Sequence, residues 1–250
     1  MKTIRMEDMT WPEIKAALEE GYTTVVTAVG STEQHGPHLP TKTDTLIGDA
    51  LAHRVALKLG RALQAKTIST GCSDHHLAFP GTISLRSDTL KMIMRDYTAS
   101  LKKHGFKTIV YLPSHGGNFA SVEEEVQAQR KIHPDIKILA YTDLLKFVEV
   151  LEGASGEFGV SREEAGAHAG ENETSIILAL EGDLVKKDRF SSGYLGPLGE
   201  KELKVILEQG MPVLTQNGVL GDPSTAAADR GEAYLEKASV FLADWIKKQL

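Results

Sequence analysis

Six histidines and a handful of carboxylates carry the chemistry of this chain. Glu33 and His35 stand two residues apart. In extended backbone both face one side, about 6.6 Å apart at ~3.3 Å per residue. That spacing suits one ligand to each of two neighbouring metal ions with a carboxylate bridging them, and equally suits two ligands on one ion. Asp44 follows a loop flanked by Pro37 and Pro40 and precedes a helical stretch, so it reads as a bridge or as a helix cap. His115 is followed by Gly116 and Gly117, which let backbone approach a ligand closely. His168, Glu171 and Glu173 add an imidazole and two carboxylates. His38, His75 and His76 complete the six; each reads as a ligand, a substrate contact or a polar loop residue.

These residues need elements to position them. Thr23–Val29, Ala65–Thr70, Thr108–Leu112 and Ile136–Tyr141 read as buried strands. Leu46–Leu63, Asp88–His104, Phe119–Ile132, Thr174–Leu180 and Ala226–Leu250 carry helical spacing or helix end signals. Glu152–Ala167 and Gly193–Gly221 read as irregular. Alternating strands and helices imply an α/β fold, a three-layer α/β/α sandwich with a mostly parallel central sheet. With no linker or repeat, residues 1–250 are expected to form one domain. Ligands of open parallel sheets sit beyond the carboxyl ends of the strands, and three of the loops holding these residues, Gly30–His38, Gly71–His76 and Pro113–Asn118, start there.

The composition narrows the chemistry. The 250 residues hold 28 Lys and Arg against 34 Asp and Glu, a net charge of −6, with no basic run, which argues against a nucleic-acid binder. No apolar stretch approaches the ~18–20 residues that span a bilayer, and the first residues lack the apolar core of a signal peptide; a cytoplasmic protein is expected. The one cysteine, Cys72, excludes an intramolecular disulfide and a thiolate cluster and reads as a small buried residue. A metal must therefore be held by His, Asp and Glu, a donor set suited to zinc first, with manganese or iron as alternatives. The Gly116-Gly117 turn lacks the full phosphate-binding fingerprint.

The segment Gly30-Ser31-Thr32-Glu33-Gln34-His35-Gly36-Pro37-His38-Leu39-Pro40 resembles the signature of the creatininase, or creatinine amidohydrolase, family. Phe79-Pro80-Gly81-Thr82-Ile83-Ser84-Leu85, Ser114-His115-Gly116-Gly117-Asn118 and His168-Ala169-Gly170-Glu171-Asn172-Glu173-Thr174-Ser175 resemble further motifs in the family's order, and Gly218-Val219-Leu220-Gly221-Asp222-Pro223 resembles its closing loop. The resemblance implies a binuclear metal hydrolase of a C–N bond in a small, cyclic amide, working through a metal-activated water, and a homo-oligomer, commonly a hexamer. It implies two divalent ions per protomer, with Glu33, His115 and Asp44 on one and His35 on the other under a bridging Asp44. His168 resembles the catalytic histidine, a general acid and base. The creatinine-hydrolysing members carry a carboxylate where this chain has Gly117. The missing ligand is expected to be Glu171, with Glu173 as the alternative. Those members also close the site with tryptophans, whereas Trp11 and Trp245 both lie outside Glu152–Ala167. Two other readings stand beside this one: ring opening of a cyclic keto-sugar or cyclitol, and a metal-binding oligomeric scaffold without turnover.

Overall fold

The computed structural model describes residues 2–250. Four strands, β1 (Thr24–Val29), β2 (Ala62–Gln64), β3 (Thr108–Pro113) and β4 (Lys137–Ala140), form one parallel sheet in the order β2-β1-β3-β4. Val26 of β1 pairs with Gln64 on one side and with Val110 on the other, so β1 is central. The chain leaves β1 for β2 on one side and then crosses to β3 on the other. The crevice between the carboxyl ends of β1 and β3 is thus the switch point where a ligand fits.

Strand alternation explains the three layers. Val25, Val29, Ile109 and Tyr111 point to one face and pack with Leu90 and Met94 of α3 (Ser87–His104) and Val122 and Val126 of α4 (Phe119–Ile132). Val26, Ala28, Val110 and Leu112 point to the other face, against Val55 of α2 (Thr43–Leu59) and Leu242 and Ile246 of a long C-terminal helix, Ala228–Lys247. A sheet buried on both faces reads as continuous apolar runs, which these strands are. A third apolar cluster joins Ile47 and Leu51 of α2 to Ile176 and Ile177 of the helix Glu171–Glu181 and to Tyr234 and Leu235 of the C-terminal helix.

The expected strands over Thr23–Val29, Thr108–Leu112 and Ile136–Tyr141 stand within a residue of their predicted ends. The one expected over Ala65–Thr70 does not form. Its place is taken by β2, just upstream, while Ile68 contributes a single bridge to Val29. The helix expected over Leu46–Leu63 ends at Leu59, where Gly60 and Arg61 turn with positive φ. The loop expected over Glu152–Ala167 is largely helical: α5 spans Leu144–Gly156 and α6 spans Arg162–Ala165, the latter started by a Ser161–Glu164 capping box. The helix Glu171–Glu181 is α7. The irregular stretch Gly193–Gly221 contains α8, Glu200–Gln209, and the C-terminal helix Ala228–Lys247 is α9.

Candidate metal centre

Three strand-end loops and the start of α7 converge in the crevice. Asn118 ties the loops together. Its Nδ2 donates to the carbonyls of Val29 and Gly30, and its Oδ1 accepts from the Cys72 amide at 2.9 Å. Ser114 Oγ donates to the Asp44 carbonyl at 2.8 Å and fixes the first turn of α2 against the end of β3. His168 is held by a two-residue bridge to Leu220. Sequence reasoning did not single out Asn118 as a functional residue; its place directly after His115-Gly116-Gly117 was the available signal.

Glu33, His35, Asp44 and His115 are all buried, and their polar atoms face one another. His115 Nδ1 lies 3.2 Å from Glu33 Oε1 and 3.4 Å from Asp44 Oδ2. His35 Nε2 lies 3.3 Å from Asp44 Oδ1 and 3.7 Å from Glu173 Oε2. Asp44 therefore presents one oxygen to each half of the cluster. Glu33 Oε1, His35 Nε2 and Asp44 Oδ2 are buried without any hydrogen bond. Buried polar atoms without partners are rare and costly. Donor atoms held ~2.0–2.2 Å from a common ion sit about 3–3.5 Å apart, close to the spacings here. The donor set and its geometry fit divalent-cation binding.

Hydrogen bonds sort the imidazoles by role. His35 Nδ1 faces the Glu33 carbonyl at 3.1 Å, so in the neutral ring Nδ1 carries the proton and Nε2 is the lone pair turned to Asp44 and Glu173. His115 Nε2 faces the Cys72 carbonyl at 3.0 Å, which in the neutral ring leaves Nδ1 as its lone pair. Gln34 Nε2 lies 3.0 Å from His168 Nε2, but its two hydrogens go to His76 Nδ1 and the Gly218 carbonyl, so His168 Nε2 donates to the Gln34 carbonyl at 2.8 Å and leaves Nδ1 open 3.7 Å from Glu33 Oε1. His76 is the reverse case. Its Nδ1 accepts from Gln34 Nε2 at 2.9 Å, so its Nε2 carries the proton, 3.4 Å from Glu33 Oε1. The Gln34 amide cannot turn round, because its Oε1 accepts from the Gly36 amide at 2.8 Å. His76 thus orients Glu33 rather than offering a donor pair. His75 stacks on His115 at 5.5 Å between ring centroids, and His38 Nε2 bonds Thr174 Oγ1 at 2.9 Å, outside the cluster.

The electrostatics are those of a site built around positive charge. Burial disfavours a charged His35, but Asp44, Glu173 and Glu33 outweigh it and raise the imidazole to about 10. Burial likewise opposes charge on His115, and Glu33 and Asp44 lift it to about 9. Burial would neutralise Glu33, yet His115, His76 and His168 hold its carboxyl well below the usual range. Burial raises Asp44, with His35 opposing. Burial, aided by Asp44 and opposed by His35, raises Glu173 to about 7. Burial, then His35 and His76, push His168 well below an ordinary imidazole, so it is neutral where a free histidine would begin to charge.

The expectation for Glu171 does not match this geometry. Glu171 is fully buried but turned away, and its carboxylate accepts from Ser175 Oγ at 2.8 Å and Tyr234 Oη at 3.1 Å, with Arg230 at 3.5 Å. Glu173 is the carboxylate that faces His35, anchored by the Ala169 amide at 2.6 Å. Two residues along a helix are about 200° apart around its axis, so only one of the pair can face the crevice. Gly117 contributes nothing and has no room to: a Cβ there would collide with the Cys72 carbonyl, reach 2.6 Å from His115 Nε2 and 2.9 Å from His75.

A parallel-sheet fold with buried, partnerless oxygen and nitrogen donors at its switch point defines a metal-binding protein of the α/β class. The creatinine amidohydrolase family profile matches residues 7–246, and the chain belongs to that family of amidohydrolases. A mycofactocin precursor peptide peptidase from Mycolicibacterium smegmatis is 34% identical over 229 residues, 90% of this chain and 84% of the relative. A creatinine amidohydrolase from Pseudomonas putida is 29% identical, covering 99% of this chain and 98% of the relative. A solved structure of the Mn form of creatininase superposes with a TM-score of 0.83 at 26% identity and 99% coverage of both chains. Among the described residues no helix is long and apolar enough to cross a membrane.

Proposed function

We propose that this chain is a binuclear metal-dependent amidohydrolase that cleaves a C–N bond of a small amide. Glu33, Asp44 and His115 would hold one divalent ion, and His35, Asp44 and Glu173 would hold the other. The observation that carries this reading is the set of three buried donor atoms, Glu33 Oε1, His35 Nε2 and Asp44 Oδ2, that lack any hydrogen bond and face their neighbours at 3.2–3.7 Å. Three carboxylates against two divalent cations also leave the cluster near neutrality, where the same carboxylates otherwise draw protons onto His35 and His115. Imidazole and carboxylate donors suit zinc, with manganese or iron as alternatives.

Such a pair supplies Lewis acidity toward a carbonyl oxygen and makes water acidic near neutral pH. The chain supplies the proton traffic. His168 is neutral, with its Nε2 proton committed to the Gln34 carbonyl and its Nδ1 lone pair open toward the cluster. Nδ1 takes the proton from the attacking water and returns it to the departing nitrogen, while the hydroxyl stays on the carbonyl carbon. Glu33, close to Nδ1, stabilises the imidazolium between the two transfers. His76 and Gln34 keep Glu33 and His168 oriented.

The test is metal content per protomer alongside amine release from a panel of cyclic and linear amides. Two ions and amine release support the reading. A protein that takes up neither zinc nor manganese overturns it. Ring opening of a keto-sugar or cyclitol releases no amine, and two bound ions without turnover on any substrate would return the scaffold reading. A homo-oligomer, a hexamer by family resemblance, belongs to the same proposal, and light scattering on the eluted protein tests it.

A further inference from the structure

The cleft that opens onto the metal cluster is walled by aliphatic side chains. On the α5 side, Leu145, Val148 and Leu151 line a lobe that reaches Asp44 and Glu173. On the α8 side, Leu207 and Met211 line a second lobe that reaches Glu33, His75 and His76. Leu144 and Leu203 border both lobes, as do His115 and His168. Among the described residues no Lys or Arg lines either lobe; the ionisable side chains there are those of the cluster and the histidines beside it. Neither tryptophan closes the cleft. Trp11 is exposed on α1 (Trp11–Glu19), and Trp245 is half-buried against Tyr141 on the α9 side of the sheet.

These walls discriminate between kinds of amide. A carboxylate or ammonium group beside the scissile bond would leave water for a lobe with no paired counter-charge, which is costly. A small polar ring held at the ions would leave the leucines wet, and Leu207 is 60% exposed and Leu145 41%. An aliphatic or aromatic group would cover them and gain from that burial. Resting on the amidohydrolase reading, we infer that the substrate is an uncharged amide carrying such an apolar group next to the scissile bond. Leu144 and Leu203, which stand where the lobes meet over the cluster, set that specificity.

Straight-chain alkyl hydroxamates test this without requiring turnover, because the hydroxamate head chelates the metal and the tail reads the wall. The protein loaded with zinc is titrated calorimetrically with the series from acetohydroxamate to octanohydroxamate. The dissociation constant is expected to fall about fourfold for each methylene buried, until a lobe is filled. Leu203→Glu is expected to flatten the series. Leu207→Glu, at an exposed position that folding tolerates, is expected to flatten its longer members. A zinc-loaded protein that binds every member equally overturns the inference and leaves the amidohydrolase reading standing. So does a length dependence unchanged in both variants, since the tail would then lie on another surface. A protein that holds no zinc overturns the amidohydrolase reading, and the inference falls with it.

Discussion

Glu171 and Glu173 sit two residues apart in the first turn of α7, and both carry carboxylates that burial pushes toward the neutral form. Glu171 lies in a closed network. Ser175 Oγ donates to it while accepting from the Ala227 amide, and Tyr234 and Arg230 approach from α9. The network joins the start of α7 to the start of α9. Glu173 lies at an open edge, with one oxygen 3.7 Å from a histidine nitrogen that has no hydrogen bond at all. A buried carboxylate whose oxygens are satisfied on all sides by its own protein is part of the framework; Glu173, held only by the Ala169 amide and facing a histidine nitrogen with no hydrogen bond, is the one the proposal assigns to an ion. The buried Glu125, gripped by Arg95 and Gln129, belongs with Glu171.

The largest expected effect comes from the residue shared by both halves of the cluster. Asp44→Asn should release both ions and lower turnover at least about a thousandfold, since the acidity of the attacking water depends on them; metal analysis and an amine-release assay read both effects. His168→Ala should retain the metal and lose about 10²–10⁴-fold in kcat. Loss of metal in that variant would make His168 a ligand instead.

How much of this was legible in the sequence follows from which forces decide each feature. β1 and β3 were legible because a sheet covered on both faces must be apolar along its whole length, as Val25-Val26 and Ile109-Val110 are. That Glu33, His35 and His115 would come together was legible because their loops follow strand ends at a switch point; Asp44, in the first turn of α2, was legible only as a bridge or a cap. β2 was not, because Ala62–Gln64 is short and its pairing with β1 depends on where Gly60 and Arg61 turn the chain. Helix α5 was obscured by Gly153 and Gly156, which punctuate it without ending it before Gly156. The choice between Glu171 and Glu173 lay beyond the sequence. It depends on the rotation of α7 about its axis, fixed when Ile176 and Ile177 pack against α2 and α9. His76 also needed the structure, since only the Gln34 amide shows which of its nitrogens carries the proton.

A pH series sharpens the contrast between open and closed regions. His35 and His115 are raised to about 10 and 9 from the ordinary 6.5, and Glu173 to about 7 from 4.5. In the metal-free protein the two imidazoles therefore stabilise the fold fully below about pH 6.5, and that contribution disappears as pH rises through 9–10. Glu173 acts in the same direction between 4.5 and 7. The melting temperature of the metal-free protein should fall from pH 6 to pH 9. Apparent zinc affinity should climb over the same range, because binding displaces those protons. A metal-free melting temperature that rises over the interval would contradict the assignment of charge.

The smallest effect belongs to the closed network. Glu171→Gln should destabilise the protein by about 1–3 kcal/mol in chemical denaturation, the cost of disturbing a buried, satisfied acceptor, with little change in kcat.

Metal content per protomer in the wild type, Glu173→Gln and Glu171→Gln tests the central claim most directly. The structure predicts two ions in the wild type, one in Glu173→Gln and two in Glu171→Gln. One ion in Glu171→Gln with two retained in Glu173→Gln would contradict it, and would require α7 to turn the other carboxylate to the crevice.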